Sequence, residues 1–221
     1  VDLYGEVPLK IDYLMKKLKL YCLFPTTVAH FSDAVSLSQE EKDFIHGQHE
    51  VTKSMGGGGN THTVNNSILE RSELANIRKS IMHCVNIYAE EVLHMDEKRS
   101  ELYLTTSWLN FNDPGTSHHA HAHPNSILSG VLYLTENPEH TKTQKFFLNN
   151  HETVLLPIKK YSLINSKSYS IDSSYCGCLL FPSSLSHNVT VNRTNEIRIT
   201  LAFNVFVRGV MGGDHLSQLT I

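Results

Sequence analysis

Arg198-Ile199-Thr200-Leu201-Ala202-Phe203-Asn204-Val205 decides the fold. Alternate side chains of an extended strand point to opposite faces. Ile199, Leu201, Phe203 and Val205 therefore share a wholly apolar face, and Arg198, Thr200, Ala202 and Asn204 share the other. The apolar face needs a layer to cover it, and helices supply one. The opposite face, with an arginine beside a threonine, suits the lumen of a closed or doubled sheet. A guanidinium there is costly unless it meets an anion. Its fork matches a carboxylate bidentately, and Thr200 adds a hydroxyl donor. Read alone, Arg198 also fits an exposed edge strand paired with Glu196, but His187 upstream favours the lumen.

Working outward, a period of two dominates after about residue 101. It predicts strands over 102–111, 127–135, 144–148, 153–158, 160–165, 178–181, 186–191 and 196–207. Turn signals separate them, among them Asp113-Pro114-Gly115, Glu136-Asn137-Pro138 and Asn192-Arg193-Thr194-Asn195. Strands so spaced predict a barrel or double sheet. Before them the period is helical. Leu74, Ile77, Ile81, Val85, Tyr88 and Val92 form one stripe of a helix about 25 residues long, opened by a capping box at Ser67-Ile68-Leu69-Glu70. A second capping box, Ser38-Gln39-Glu40-Glu41, opens a short helix ending near Gly47. Residues 7–20 set Lys10, Lys16, Lys17 and Lys19 against Leu9, Ile11, Leu14, Met15 and Leu18, a short amphipathic helix. Gly56 to Gly59 suit a flexible linker or a loop near a site, and no Gly-Lys-Ser/Thr follows to make a phosphate loop. The class expected is mainly β with N-terminal helices, in one domain over 1–221. Within it, 1–100 form a helical support region, 101–207 the β core and 208–221 a C-terminal tail.

The 221 residues are enough for one good-sized core, and a net charge of −3 argues against a polyanion binder, so nucleic acid is not the expected partner. No apolar run reaches the length of a membrane span, about 18 residues, and Val1 to Lys10 lack the apolar region of a signal peptide. Cys22, Cys84, Cys176 and Cys178 are few and unevenly spaced, and Cys176-Gly177-Cys178 is too tight for a zinc knuckle. They read as reduced thiols, which with the missing signal implies a cytoplasmic protein. Asn188-Val189-Thr190 and Asn192-Arg193-Thr194 match a glycosylation pattern, read as accidental for the same reason.

Fourteen histidines are the compositional oddity. His121 and His123, two apart on an extended segment, point to one side and with His187 can reach one ion. Imidazoles suit Fe(II), Ni, Cu or Zn. His119 shares their parity, which leaves the register open by two residues; His118 has the wrong parity. A histidine-rich surface loop is the competing reading. His62, His83, His94, His140, His151 and His215 receive no role. Tyr133 shares a parity with Ser129 and Val131, and is either a phenolic donor in the pocket or a core tyrosine.

Several strings together resemble a known group: Leu23-Phe24-Pro25-Thr26, Ser107-Trp108-Leu109-Asn110, His121-Ala122-His123-Pro124-Asn125-Ser126, Ser129-Gly130-Val131-Leu132-Tyr133, Leu179-Leu180-Phe181-Pro182 with His187, and Arg198 to Asn204. Over roughly residues 22–207 the chain resembles the iron(II)- and 2-oxoglutarate-dependent oxygenases, whose core is a double-stranded β-helix (a jelly roll, cupin-like) packed on helices. It is most similar to a small, prolyl-hydroxylase-like subfamily found in bacteria and phages. The resemblance implies that His121 is the first metal ligand and His187 the last. His123 stands where most of the superfamily carries Asp or Glu. Arg198 would bind the distal carboxylate of 2-oxoglutarate with Thr200 beside it, and Tyr133 would touch the same carboxylate. Asn110 and Asn204 are weaker pocket candidates. The implied activity is hydroxylation of an unidentified protein side chain or metabolite, using Fe(II), 2-oxoglutarate and O2 and releasing succinate and CO2. Two alternatives are a non-catalytic cupin-like binder of metal or ligand, and a three-histidine dioxygenase without 2-oxoglutarate, which needs no Arg-x-Thr pair. The Gly56 to Gly59 loop and the 136–151 connection are the expected substrate-facing lids.

Overall fold

The computed structural model describes residues 24–48, 51–53, 57–137, 139, 144–147, 157–163, 165–212 and 218–221. In chain order its elements are β1 (Ala29–Phe31), α1 (Gln39–His46), β2 (Val51–Lys53), β3 (Thr61–Thr63), α2 (Ala75–Glu91), β4 (Ser100–Asn112), β5 (His118–His121), β6 (Leu128–Tyr133), β7 (Gln144–Phe147), β8 (Ser168–Ile171), β9 (Cys178–Pro182), β10 (His187–Val189), β11 (Arg198–Met211) and β12 (Leu219–Thr220). The major sheet runs β1-β9-β6-β11-β4-β3-β2, with β12 pairing β11, and the minor sheet runs β5-β10-β7-β8. The pairings within both sheets are antiparallel. This is a double sheet, as the alternating pattern predicts, in the jelly-roll architecture that the resemblance implies.

The two faces of β11 behave as its sequence requires. Ile199, Leu201, Phe203 and Val205 are buried in one core cluster with Ile77, Ile81, Val85 and Tyr88 of α2. Apolar burial of this kind is worth roughly 1.5–3 kcal/mol per large side chain, so the helix stripe and the strand face hold each other in place. A second cluster, Val131, Tyr133, Phe146, Leu179 and Phe181, fills the space between the two sheets. β6 is buried at every position because it lies between helix layer and lumen. Gly130 on β6 is the one residue that fits there: a Cβ would stand 2.1 Å from the Phe203 ring.

Several local expectations differ from the structure. Ser38 caps α1 with the full reciprocal box and Gly47 ends it. Ser67 does not cap. Its own N–H donates to Asn65 Oδ1 (2.8 Å), and the N–H of Leu69 donates to Ser107 Oγ (3.0 Å). Two short 3-10 turns, Ile68–Glu70 and Ser72–Leu74, therefore precede a helix that begins only at Ala75. The strand expected over 160–165 is absent among the described residues. Asn165 Oδ1 accepts the Ser162 N–H (2.7 Å) and its amide donates to Lys160 O (3.0 Å), which closes a turn. The strand lies further on, at β8. The first 100 residues are not only helical, since β1 pairs β9 and β3 pairs β4. The tail pairs too, through β12 on β11. The helix expected over 7–20, and most of the 136–151 and 153–158 segments, lie outside the described residues. No helix among the described residues is long and apolar enough to cross a membrane. Cys84, Cys176 and Cys178 are free and buried, as expected; Cys22 lies outside the described residues.

Candidate metal centre

β5 and β10 pair so that His121 and His187 face each other across the minor sheet. His123 follows just beyond β5, its N–H donating to Ser183 O (2.9 Å). The ligand atoms of His121, His123 and His187 lie within 4.8 Å of one another. Nδ1–H of His187 donates to Leu185 O (2.9 Å) and Nδ1–H of His121 to His119 O (2.8 Å). A carbonyl only accepts, so each neutral ring keeps a bare lone pair on Nε2. The same backbone bond fixes tautomer and ring orientation, the arrangement that metal-binding imidazoles need. Phe181 packs edge-on against the His187 ring (4.7 Å), Phe146 backs both, and Trp108 lies 5.9 Å from His123.

His123 Nε2 and His187 Nε2 are 3.3 Å apart. Two nitrogens on one ion at about 2.0–2.1 Å are separated by about 2.8–3.4 Å between right-angle and tetrahedral geometry. The donor set thus fits a borderline divalent cation. A narrow cleft opens on it, lined by Trp108, Asn110, Asn112, Val131, Thr200 and Ala202 besides the histidines. No carboxylate lines it among the described residues.

Burial pushes His187 down to about 3 and His123 to about 4, and lowers His121 as well. All three are neutral at pH 7, ready to ligate. In the metal-free protein the folded values lie below the ordinary 6.5, so on acidification the unfolded chain takes up protons first. Stability present above about pH 6.5 is then lost as pH falls toward 4. The Tm of the metal-free protein is expected to drop by on the order of 5 °C across that window, with a flatter slope in His187→Gln. Thermal melts in chelator would show it; equal slopes in the two proteins would contradict it.

Arg198, at the start of β11, is 1% exposed. Its Nη2 donates to Thr190 O (2.8 Å), and its Nε has no hydrogen-bond partner among the described residues. Burial lowers its pKa to about 10 and the nearby Tyr133 opposes that, so it stays charged at neutral pH. No carboxylate among the described residues contributes to its charge balance. Thr200 lines the histidine cleft, whereas Arg198 lines an adjoining, more open outer cavity with Glu139, Lys145, Asn188 and Arg193. His118 and Val189 line both. Tyr133 is fully buried in the inter-sheet core and lines neither. Asn110 lines the cleft, its Oδ1 accepting from Trp108 Nε1 (3.1 Å). Asn204 is occupied elsewhere: it accepts from Ser129 Oγ (2.8 Å) and donates to Thr106 Oγ1 (3.0 Å).

Two histidines stand nearer the centre than the sequence suggests. His118 has the wrong parity, yet its ring stacks on His121 at 4.4 Å. The cause is an irregular register: His187 pairs His121 but Val189 pairs His118, so three residue steps on β5 match two on β10. Such a bulge re-aims a side chain and breaks the parity rule. His62, given no role above, lines an outer cleft with Trp108, His118, His121 and His123 because β3 pairs β4 at His62 and Asn110. No local pattern flags it, since the pairing is a long-range contact. Gly59 bridges to Ser117, which puts part of the glycine loop beside β5.

Residues 106–204 match the family model described as "Putative 2OG-Fe(II) oxygenase". No curated protein matches the sequence significantly. Among solved structures, the chain is similar to the non-heme α-ketoglutarate-dependent epimerase SnoN of nogalamycin biosynthesis, at 12% identity and a TM-score of 0.59, over 83% of this chain and 81% of that one. It is similar to HygX from Streptomyces hygroscopicus, crystallised with nickel and 2-oxoglutarate, at 11% identity and 0.55, over 81% and 82%. It is also similar to a Pseudomonas putida prolyl-4-hydroxylase, at 12% identity and 0.54, over 81% and 92%.

Proposed function

We propose, from the match of residues 106–204 to the 2OG-Fe(II) oxygenase model, that this chain is a dioxygenase that hydroxylates its substrate at an iron(II) held by His121, His123 and His187. Arg198 and Thr200 hold the distal carboxylate of 2-oxoglutarate, with Tyr133 beside the guanidinium. The observation that carries the reading is Arg198: a buried, charged guanidinium with an unpartnered Nε, on the same strand face as a threonine that lines the imidazole cleft. Iron(II), when bound, couples oxidative decarboxylation of 2-oxoglutarate to succinate and CO2 with oxidation of the substrate by O2. The chain supplies position and a dry setting. Leu185 O and His119 O aim the imidazoles. Phe146 and Phe181 pack beside the His187 ring and exclude water there. Arg198 offers a fork at the wall of the adjoining cavity, and a fork matches a carboxylate better than a point charge does.

The substrate is a protein side chain or a small metabolite, and the free buried thiols Cys84, Cys176 and Cys178 fit a reducing, cytoplasmic setting. The lack of a carboxylate in the cleft among the described residues favours a second reading, a three-histidine dioxygenase that does not use 2-oxoglutarate. One experiment separates the two. Anaerobic Fe(II) and 2-oxoglutarate should give a weak visible charge-transfer band, and admission of air should release succinate without added substrate. Absence of both band and succinate would sink the first reading.

A further inference from the structure

A second set of imidazoles is assembled on β5. The ligand atoms of His118, His119 and His121 also lie within 4.8 Å of one another. Their rings are mutually packed, at 4.4 Å for His118 on His121, 4.9 Å for His118 on His119 and 5.1 Å for His119 on His121. On a regular strand, adjacent residues 118 and 119 would face opposite ways. The irregular pairing with β10 lets all three converge. The two sets differ in access. His187 of the inner set is 4% exposed, whereas His119 is exposed and with His118 lines the outer cavity.

His121 belongs to both sets. Its Nδ1–H is spent on His119 O, so it has a single lone pair to give, on Nε2. One lone pair serves one ion. The inner and outer positions are therefore occupied in exchange, not together. An ion entering through the outer cavity meets His118 and His119 before it reaches His187. Borderline divalent ions such as Fe(II), Co(II), Ni(II) and Zn(II) favour imidazole donors.

We propose that His118, His119 and His121 form an outer divalent-cation position, through which the inner position is loaded by exchange at His121. It rests on the reading of His121, His123 and His187 as the inner ligands. The test is Ni(II) binding to the whole chain, by equilibrium dialysis and by stopped-flow absorbance, without substrate or turnover. Wild type should bind one Ni(II). The double variant His123→Ala/His187→Ala, which lacks the inner position, should still bind one. Adding His118→Ala/His119→Ala should abolish that binding, and adding His118→Gln/His119→Gln should do the same with less change in bulk. In the wild-type background, His118→Ala/His119→Ala should leave the final stoichiometry at one and slow loading several-fold.

Two independent equivalents in wild type would overturn the sharing of His121. No binding in the inner-deficient variant, with its Tm unchanged, would overturn the outer position. Unchanged loading kinetics in the outer-deficient variant would overturn the loading role. These outcomes are distinct from failure of the oxygenase reading, which shows as missing succinate from a protein that binds Ni(II) normally.

Discussion

Replacing Arg198 by alanine is expected to weaken 2-oxoglutarate binding at least about 30-fold, because removing one partner of a buried, hydrogen-bonded charge pair costs about 2–5 kcal/mol. The physical case starts from what surrounds the side chain. At 1% exposure it has left water, and the recorded hydrogen bond of its guanidinium runs to Thr190 O. Five N–H donors are available to a guanidinium, and Nε is without a partner. Burial lowers its pKa only to about 10, so the charge persists at neutral pH. A site that keeps a charge under those conditions is built for an anion. Lysine at 198 retains the charge but not the fork, and should give an intermediate loss. Isothermal titration with 2-oxoglutarate in the presence of metal reads the effect, and a thermal melt checks that the Thr190 contact was not the whole story. Wild-type affinity in a folded Arg198→Ala variant would remove the arginine from the co-substrate site and favour the reading without 2-oxoglutarate.

The sequence carried much of this arrangement because its strongest signals are periodic. The alternation in Arg198 to Val205 and the stripe from Ile77 to Tyr88 each name a face, and the two faces meet. A capping box is legible when its donors have nowhere else to go, as at Ser38, and fails where a distant residue competes, as Ser107 does near Ser67. Strand parity fails at His118 for a related reason: the bulge opposite Val189 is a property of the pair of strands, not of either one. His62 enters the outer cleft through the β3–β4 pairing, which no local window contains. Thr200 lies at the histidine cleft as its parity implies, but the guanidinium of Arg198, on the same strand face, lines the adjoining cavity beside Thr190. Strand parity gives a side to a residue; the direction of a long side chain is set by its neighbours.

His123 stands where the common facial iron site has a carboxylate, and its substitution has the second large expected effect. Two histidines and a carboxylate make the common facial site for iron(II), whereas the cleft described here is lined by imidazoles and neutral groups. Three neutral ligands leave the ion's charge uncompensated until a dianionic co-substrate arrives, so Fe(II) should bind more tightly with 2-oxoglutarate than without it. Removing a ligand has a larger effect than removing a group that merely orients one, and the latter alone costs 10–100-fold in metal affinity, so His123→Ala should lose more than about 100-fold. His123→Asp restores a negative donor close to His187, whose Nε2 is 3.3 Å from that of His123. It should bind Fe(II) at least as well as wild type and depend less on 2-oxoglutarate to do so. Metal content after dialysis, with and without 2-oxoglutarate, distinguishes the cases. If the alanine variant holds iron as wild type does, His123 is not a ligand, and the ion sits instead on His121 and His187 with His119 or solvent completing the set.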